Sequence, residues 1–150
     1  MANLNRILLA EDNPHDVELT LAALEEHHLA NEVVVVRDGE EALEYLQARG
    51  RFAGRPPGLP LVVFLDLKMP KVDGLEVLRA MKNDVNLRRI PVVMLTSSRE
   101  EKDIVRSYEL GVNSYVVKPV NFQQFVESVK ALGYFWALIN EPAPQQPPQT

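Results

Sequence analysis

Five short apolar runs punctuate the chain: Ile7–Ala10, Val33–Val36, Leu61–Leu65, Val92–Leu95 and Tyr115–Val117. Within each run the apolar residues are continuous rather than alternating, the pattern of strands covered on both faces. Between the runs, apolar positions recur at helical spacing. Val17, Leu21, Leu24 and His28 share one face of a first helix. Asn13 can cap it and Pro14 can open it, because proline's missing N–H would have no partner there. A second helix, Glu40–Arg49, turns Leu43 and Leu46 inward and stops at Gly50, and a third carries Leu75, Leu78 and Met81. A fourth starts where Ser98 and Glu101 have capping-box spacing, buries Ile104, Val105 and Tyr108, and ends at Gly111. A fifth begins after Asn121 and runs to about Ile139.

Strand and helix thus alternate five times, with short connections. That alternation implies right-handed crossovers and a parallel sheet with helices on both sides, a doubly wound α/β fold of five strands and five helices. Two stretches depart from it. Gly50–Pro60 exceeds the usual ~2–6 residues of a helix-to-strand loop, and Glu141–Thr150 is rich in Pro and Gln and predicts a disordered tail. The remaining residues, 1–140, are the size of one domain.

Composition narrows the chemistry. With 46% hydrophobic and 25% charged residues, the chain is neither disordered nor fibrous. The absence of cysteine excludes disulfides, thiol catalysis and thiolate zinc sites. The three histidines, His15, His27 and His28, are too few and too clustered for most histidine metal sites. A net charge of -5 argues against a nucleic-acid partner. No apolar run approaches the ~18 residues of a membrane span, and Met1–Arg6 lacks the layout of a signal peptide. A cytoplasmic location is the expectation.

Position along the sheet carries the functional signal. Glu11 and Asp12 follow the first strand, Asp66 follows the third, Thr96 ends the fourth and Lys118 ends the fifth. Doubly wound sheets bind ligands at the carboxyl ends of their strands, beside the switch in winding direction. With strand order 2-1-3-4-5, that switch lies between the first and third strands, so the three carboxylates converge there. Clustered carboxylates repel one another, a divalent cation relieves the repulsion, and an all-oxygen donor set suits Mg²⁺. An ammonium and a hydroxyl alongside would serve a phosphoryl group, with one carboxylate in line as acceptor. Each residue has a simpler reading taken singly: Asp12 or Asn13 as a helix cap, Thr96 as a cap, Lys118 as a solvated surface residue, and Asp66 as turn chemistry before Pro70 and Asp73–Gly74. Five such residues gathered at one sheet edge argue against coincidence.

Over about residues 4–140, the motifs LLAEDN, FLDLKMPKVDG, MLTSS and YVVKP resemble, in order and spacing, the receiver domain of two-component response regulators. The resemblance implies a flavodoxin-like fold and transfer of a phosphoryl group to Asp66 from a histidine kinase or a histidine phosphotransfer protein. By the same resemblance, Asp12 and Asp66 would ligate Mg²⁺ together with the backbone carbonyl of Lys68, and Glu11 would act through a metal-bound water. Lys118 and Thr96 would each meet a phosphoryl oxygen. Glu11 stands where aspartate is commoner in the family. Tyr115 occupies the family's switch-aromatic position and would turn inward as Thr96 moves toward the phosphoryl group; the simpler reading is a half-buried tyrosine with its hydroxyl in water. The Lys118–Pro119 bond is cis in the family.

A regulator of this kind is not an enzyme acting on other molecules, and its output would be a changed binding surface. The apolar stretch Gly133–Ile139 at the end of the fifth helix suggests homodimerisation through the fourth helix, fifth strand and fifth helix. The loop Gly50–Pro60 and the segment SREEKDI resemble small regulators paired with bacterial phytochrome kinases, which would place Arg49, Arg51 and Arg55 against the kinase. A mobile loop with solvated charges is the simpler reading. Two rivals belong to other classes. A haloacid-dehalogenase-like phosphatase needs an acid where Lys68 stands, and a pseudo-receiver that never takes phosphate usually lacks an acid, the threonine or the lysine, all present here.

Overall fold

The computed structural model describes residues 6–26 and 32–118. Strands β1 (Arg6–Ala10), β2 (Glu32–Val36), β3 (Val62–Leu65), β4 (Val92–Thr96) and β5 (Ser114–Val117) form one sheet. Four α-helices join them: α1 (Pro14–Glu26), α2 (Gly39–Gln47), α3 (Gly74–Lys82) and α4 (Glu101–Glu109), with single 3-10 turns at Gly50–Phe52 and Leu87–Arg89. The strand order is β2-β1-β3-β4-β5 and every pairing is parallel, the flavodoxin-like arrangement expected. The expected fifth helix, its apolar end, the Lys118–Pro119 bond, His28 and the tail all lie outside the described residues.

The continuous apolar strands are explained by their alternation between two cores. Leu8, Ala10, Val63, Leu65 and Met94 pack beneath α2 and α3 with Tyr45, Leu46, Val77, Leu78 and Met81. Their neighbours Ile7, Leu9, Val62, Phe64, Val93 and Leu95 point the opposite way, onto Val17 and Leu24 of α1. Neither face of the central strands can carry a polar side chain, so chemistry is left to the strand ends.

Three expectations are corrected. α2 ends at Gln47 and not at Arg49, because Ala48 adopts the left-handed conformation (φ 54°) and the N–H of Arg49 returns to the carbonyl of Glu44 at 2.9 Å. The segment from Gly50 is largely exposed but not free. Arg55 lies 4.5 Å above the Tyr45 ring and donates to the carbonyls of Tyr45, Pro56 and Gly58. Arg51 bridges Glu41 and Glu44 at 2.7 and 2.9 Å. From below, the buried Arg6 donates to the Tyr45 hydroxyl (3.0 Å) and the Pro57 carbonyl (2.8 Å). Two of the arginines expected against a kinase are therefore engaged within the domain.

The third correction concerns α4, which starts after Glu100 with no side-chain cap. Ser98 does not close a capping box; its hydroxyl donates to Asp103 Oδ2 at 2.6 Å, and the Ser107 hydroxyl donates to the Asp103 carbonyl at 2.8 Å. The helix accordingly turns Asp103 and Ser107 inward, leaves Ile104 half-buried, and exposes Val105 (47%) and Tyr108 (49%). Burial of this polar side is tolerated because its groups are paired.

This orientation predicts unequal effects in urea denaturation. Asp103→Ala, which orphans the Ser98 hydroxyl, is expected to destabilise by about 1–3 kcal/mol, whereas Val105→Ala stays within about 0.5 kcal/mol. The reverse ranking would restore the amphipathic expectation.

Candidate functional site

The strand ends are held in register by backbone hydrogen bonds that continue beyond each strand. The N–H of Glu11 donates to the Val36 carbonyl (2.9 Å), that of Asp66 to Ala10 (3.0 Å), and that of Lys118 to Thr96 (2.9 Å). Asn13 caps α1 as expected, its Oδ1 accepting from the N–H groups of His15 (2.9 Å) and Asp16 (3.3 Å). Behind Asp66 the chain is pinned by Gly74: its N–H donates to the Leu67 carbonyl at 2.8 Å, and any Cβ would collide with the backbone of Asp66 and Leu67. Asp73 and Glu76 complete a capping box that starts α3 at this point.

The structure brings Glu11, Asp12 and Asp66 together, each offering an oxygen within 4.8 Å of the others. Glu11 and Asp66 are buried and Asp12 is exposed. Lys118 reaches this cluster from the end of β5, at the far edge of the sheet. Its ammonium lies 2.7 Å from Glu11 Oε1, 2.8 Å from Asp16 Oδ2 and 3.4 Å from Asp66 Oδ2. Asp16 was not anticipated from sequence. An acid in the first turn of a helix reads as an ordinary partner of the helix dipole, and only the fold brings Lys118 beside it.

Burial pushes the Glu11 carboxyl up from 4.5 to about 7, and Asp66 adds to the rise, while hydrogen bonds from Lys118 and the Asn13 N–H oppose it. One ammonium divided among three carboxylates does not offset that burial. Burial also pulls Lys118 down, but hydrogen bonds to Asp16 and Glu11 and the charge of Asp66 outweigh it, holding the ammonium above the ordinary lysine range. The oxygen donors, hard and in excess of the available positive charge, fit a divalent cation such as Mg²⁺.

Thr96 is fully buried at the end of β4, its Oγ1 accepting from the Ser98 N–H at 3.3 Å. Tyr115 is half-buried, and its hydroxyl, expected in water on the simpler reading, donates to the Ser98 carbonyl at 3.1 Å. Ser98 thereby joins Thr96, Tyr115 and Asp103 of α4, a junction that no single motif announced. Lys68 is exposed in the loop after β3. In the same loop Lys71 has φ 69° at the centre of a tight turn closed by Val72 N–H to the Pro70 carbonyl (2.7 Å). Its ammonium lies near Asp38 and Glu40 at the start of α2.

Comparison with known proteins agrees with this geometry. The response regulator receiver domain family matches residues 7–130. Response regulator Rcp1 of Synechocystis sp. is 40% identical over 130 residues, 87% of each chain. The crystal structure of its Mn²⁺-bound form superposes with a TM-score of 0.74 at 37% identity, covering 97% of this chain and 99% of that one. The bacteriophytochrome response regulator AtBRR is 66% identical, with a TM-score of 0.84 over 93% of this chain and all of that one. The phosphorylated cyanobacterial phytochrome response regulator RcpA gives 41% identity and a TM-score of 0.75, over 98% of this chain and 100% of that one. A five-stranded sheet whose carboxyl edge gathers Glu11, Asp12, Asp66, Thr96 and Lys118, in a chain this similar to phytochrome-linked regulators, belongs to the response regulator receiver domains of two-component signalling.

Proposed function

We propose that the protein accepts a phosphoryl group on Asp66 from a phosphohistidine of a histidine kinase, one coupled to a bacterial phytochrome. The observation that carries this reading is the convergence of three carboxylates with the Lys118 ammonium within reach of Asp66. An Asp66 carboxylate oxygen attacks phosphorus, the P–N bond to the donor imidazole breaks, and the imidazole leaves with the bonding pair and takes up a proton. Lys118 pairs with one phosphoryl oxygen and the Thr96 hydroxyl donates to another. Asp12, Asp66 and the Lys68 carbonyl would hold Mg²⁺, with Glu11 acting through a water. The bound ion supplies positive charge to the phosphoryl oxygens as negative charge shifts between acceptor and donor. The Mn²⁺-bound Rcp1 and phosphorylated RcpA structures support the reading by similarity.

Output follows from the β4–α4 segment. Movement of Thr96 toward the phosphoryl group would disturb the Ser98 junction, release Tyr115 to turn inward and re-aim α4. The exposure of Val105 and Tyr108 supports a homodimer surface on α4 and β5. No helix among the described residues is long and apolar enough to cross a membrane, and a cytoplasmic location suits the proposed kinase partner.

Three outcomes follow. Incubated with acetyl phosphate and Mg²⁺, the protein should gain the mass of one phosphoryl group, while Asp66→Asn, or the wild type with a chelator, gains none. An unmodified wild type would favour a pseudo-receiver. Light scattering of the phosphorylated protein should give a dimer mass that Tyr108→Asp reduces to that of the monomer. The third outcome concerns pH. The folded protein holds the Glu11 proton more tightly than the unfolded chain does, so this group favours folding most below its ordinary 4.5, and the contribution is gone above about 7. Lys118 stays charged throughout that window and adds no slope. Relative to Glu11→Gln, the metal-free wild type should therefore lose urea stability between about pH 5 and about pH 8.

A further inference from the structure

The Lys118 ammonium has three N–H donors and three carboxylate neighbours, yet it is not shared evenly. It sits closer to Glu11 and Asp16, at 2.7 and 2.8 Å, than to Asp66, at 3.4 Å. Two of these neighbours belong to the group of Glu11, Asp12 and Asp66, whose oxygens lie within 4.8 Å of one another; Asp16 stands outside it. Asp16 is thus a carboxylate able to hold the ammonium without giving up a donor from that group. It is also well placed to do so. Its backbone is fixed in the first turn of α1 by the Asn13 cap, and its side chain is only 26% exposed against 10% for Lys118.

We propose that Asp16 is a positioning residue that draws the Lys118 ammonium aside and so keeps the Asp66 carboxylate open to a divalent cation. This rests on the metal-centre reading above. Without Asp16, Lys118 has Glu11 and Asp66 as its remaining carboxylates, settles closer to Asp66, and competes there with the cation. A carboxylate could also aid binding by direct attraction for the ion, and the two effects separate because only the first acts through the lysine.

Calorimetric titration with Mg²⁺ alone tests this on the wild type, Asp16→Asn, Asp16→Glu, Lys118→Met and the Asp16→Asn/Lys118→Met double variant, each first shown to be folded by its urea transition. Asp16→Asn should weaken Mg²⁺ binding by about three- to tenfold, the range of a partly buried ion pair. Asp16→Glu should restore it to within about twofold, and in the Lys118→Met background the same Asp16→Asn change should fall below about twofold. Equal losses in both backgrounds would overturn the inference in favour of direct attraction, and a wild-type affinity in Asp16→Asn would overturn it outright. Failure of the unsubstituted protein to bind Mg²⁺ would instead remove the metal-centre reading, and this inference with it.

Discussion

One ammonium set among more carboxylates than it can neutralise is the constraint on which the rest of this structure turns. Parallel strands buried on both faces leave polar chemistry only at their ends, and the crossover topology puts the ends of β1 and β3 side by side. Glu11, Asp12 and Asp66 are therefore forced together. Lys118, delivered from the opposite edge of the sheet, ties β5 to β1 through a contact between residues 107 positions apart. The residual negative charge gives a cation and a phosphoryl group their place, and burial keeps that charge imbalance from being screened by water.

Much of this was legible in the sequence because the responsible patterns are local. Continuous apolar runs gave strands within a residue of their observed limits, and polar residues directly after them gave the site. What was hidden depended on tertiary partners. The spacing of Ile104, Val105 and Tyr108 described an apolar face, but the partnership of Ser98 with Asp103 turned the helix the other way. Asp16, an acid in the first turn of a helix, carries no local mark of its pairing with Lys118. The arginines after α2 looked like surface charge because nothing local reveals that the ring and carbonyl of Tyr45 await Arg55, or that Glu41 and Glu44 await Arg51.

Ser98 is the point where these threads meet. Its N–H serves Thr96, its hydroxyl serves Asp103, and its carbonyl serves Tyr115. A shift of Thr96 cannot leave the other two contacts untouched, and one of them lies on α4, whose outer surface exposes Val105 and Tyr108. The polar interior of α4 thus matters for more than stability. A buried polar network holds one arrangement while every member is paired, and losing one partner leaves a costly unsatisfied group.

The clasp formed by Arg6, Tyr45, Phe52 and Arg55 has a mechanical consequence for the loop that follows Asp66. It fastens the start of β1 to α2 and to the long connection into β3, with the Tyr45 and Phe52 rings edge-on at 5.2 Å. Through Gly39, α2 also abuts Val72 in the loop after Asp66, so the loop is braced from behind. A displacement at Asp66 is opposed on the α2 side, whereas toward α4 it meets the hydrogen bonds that converge on Ser98.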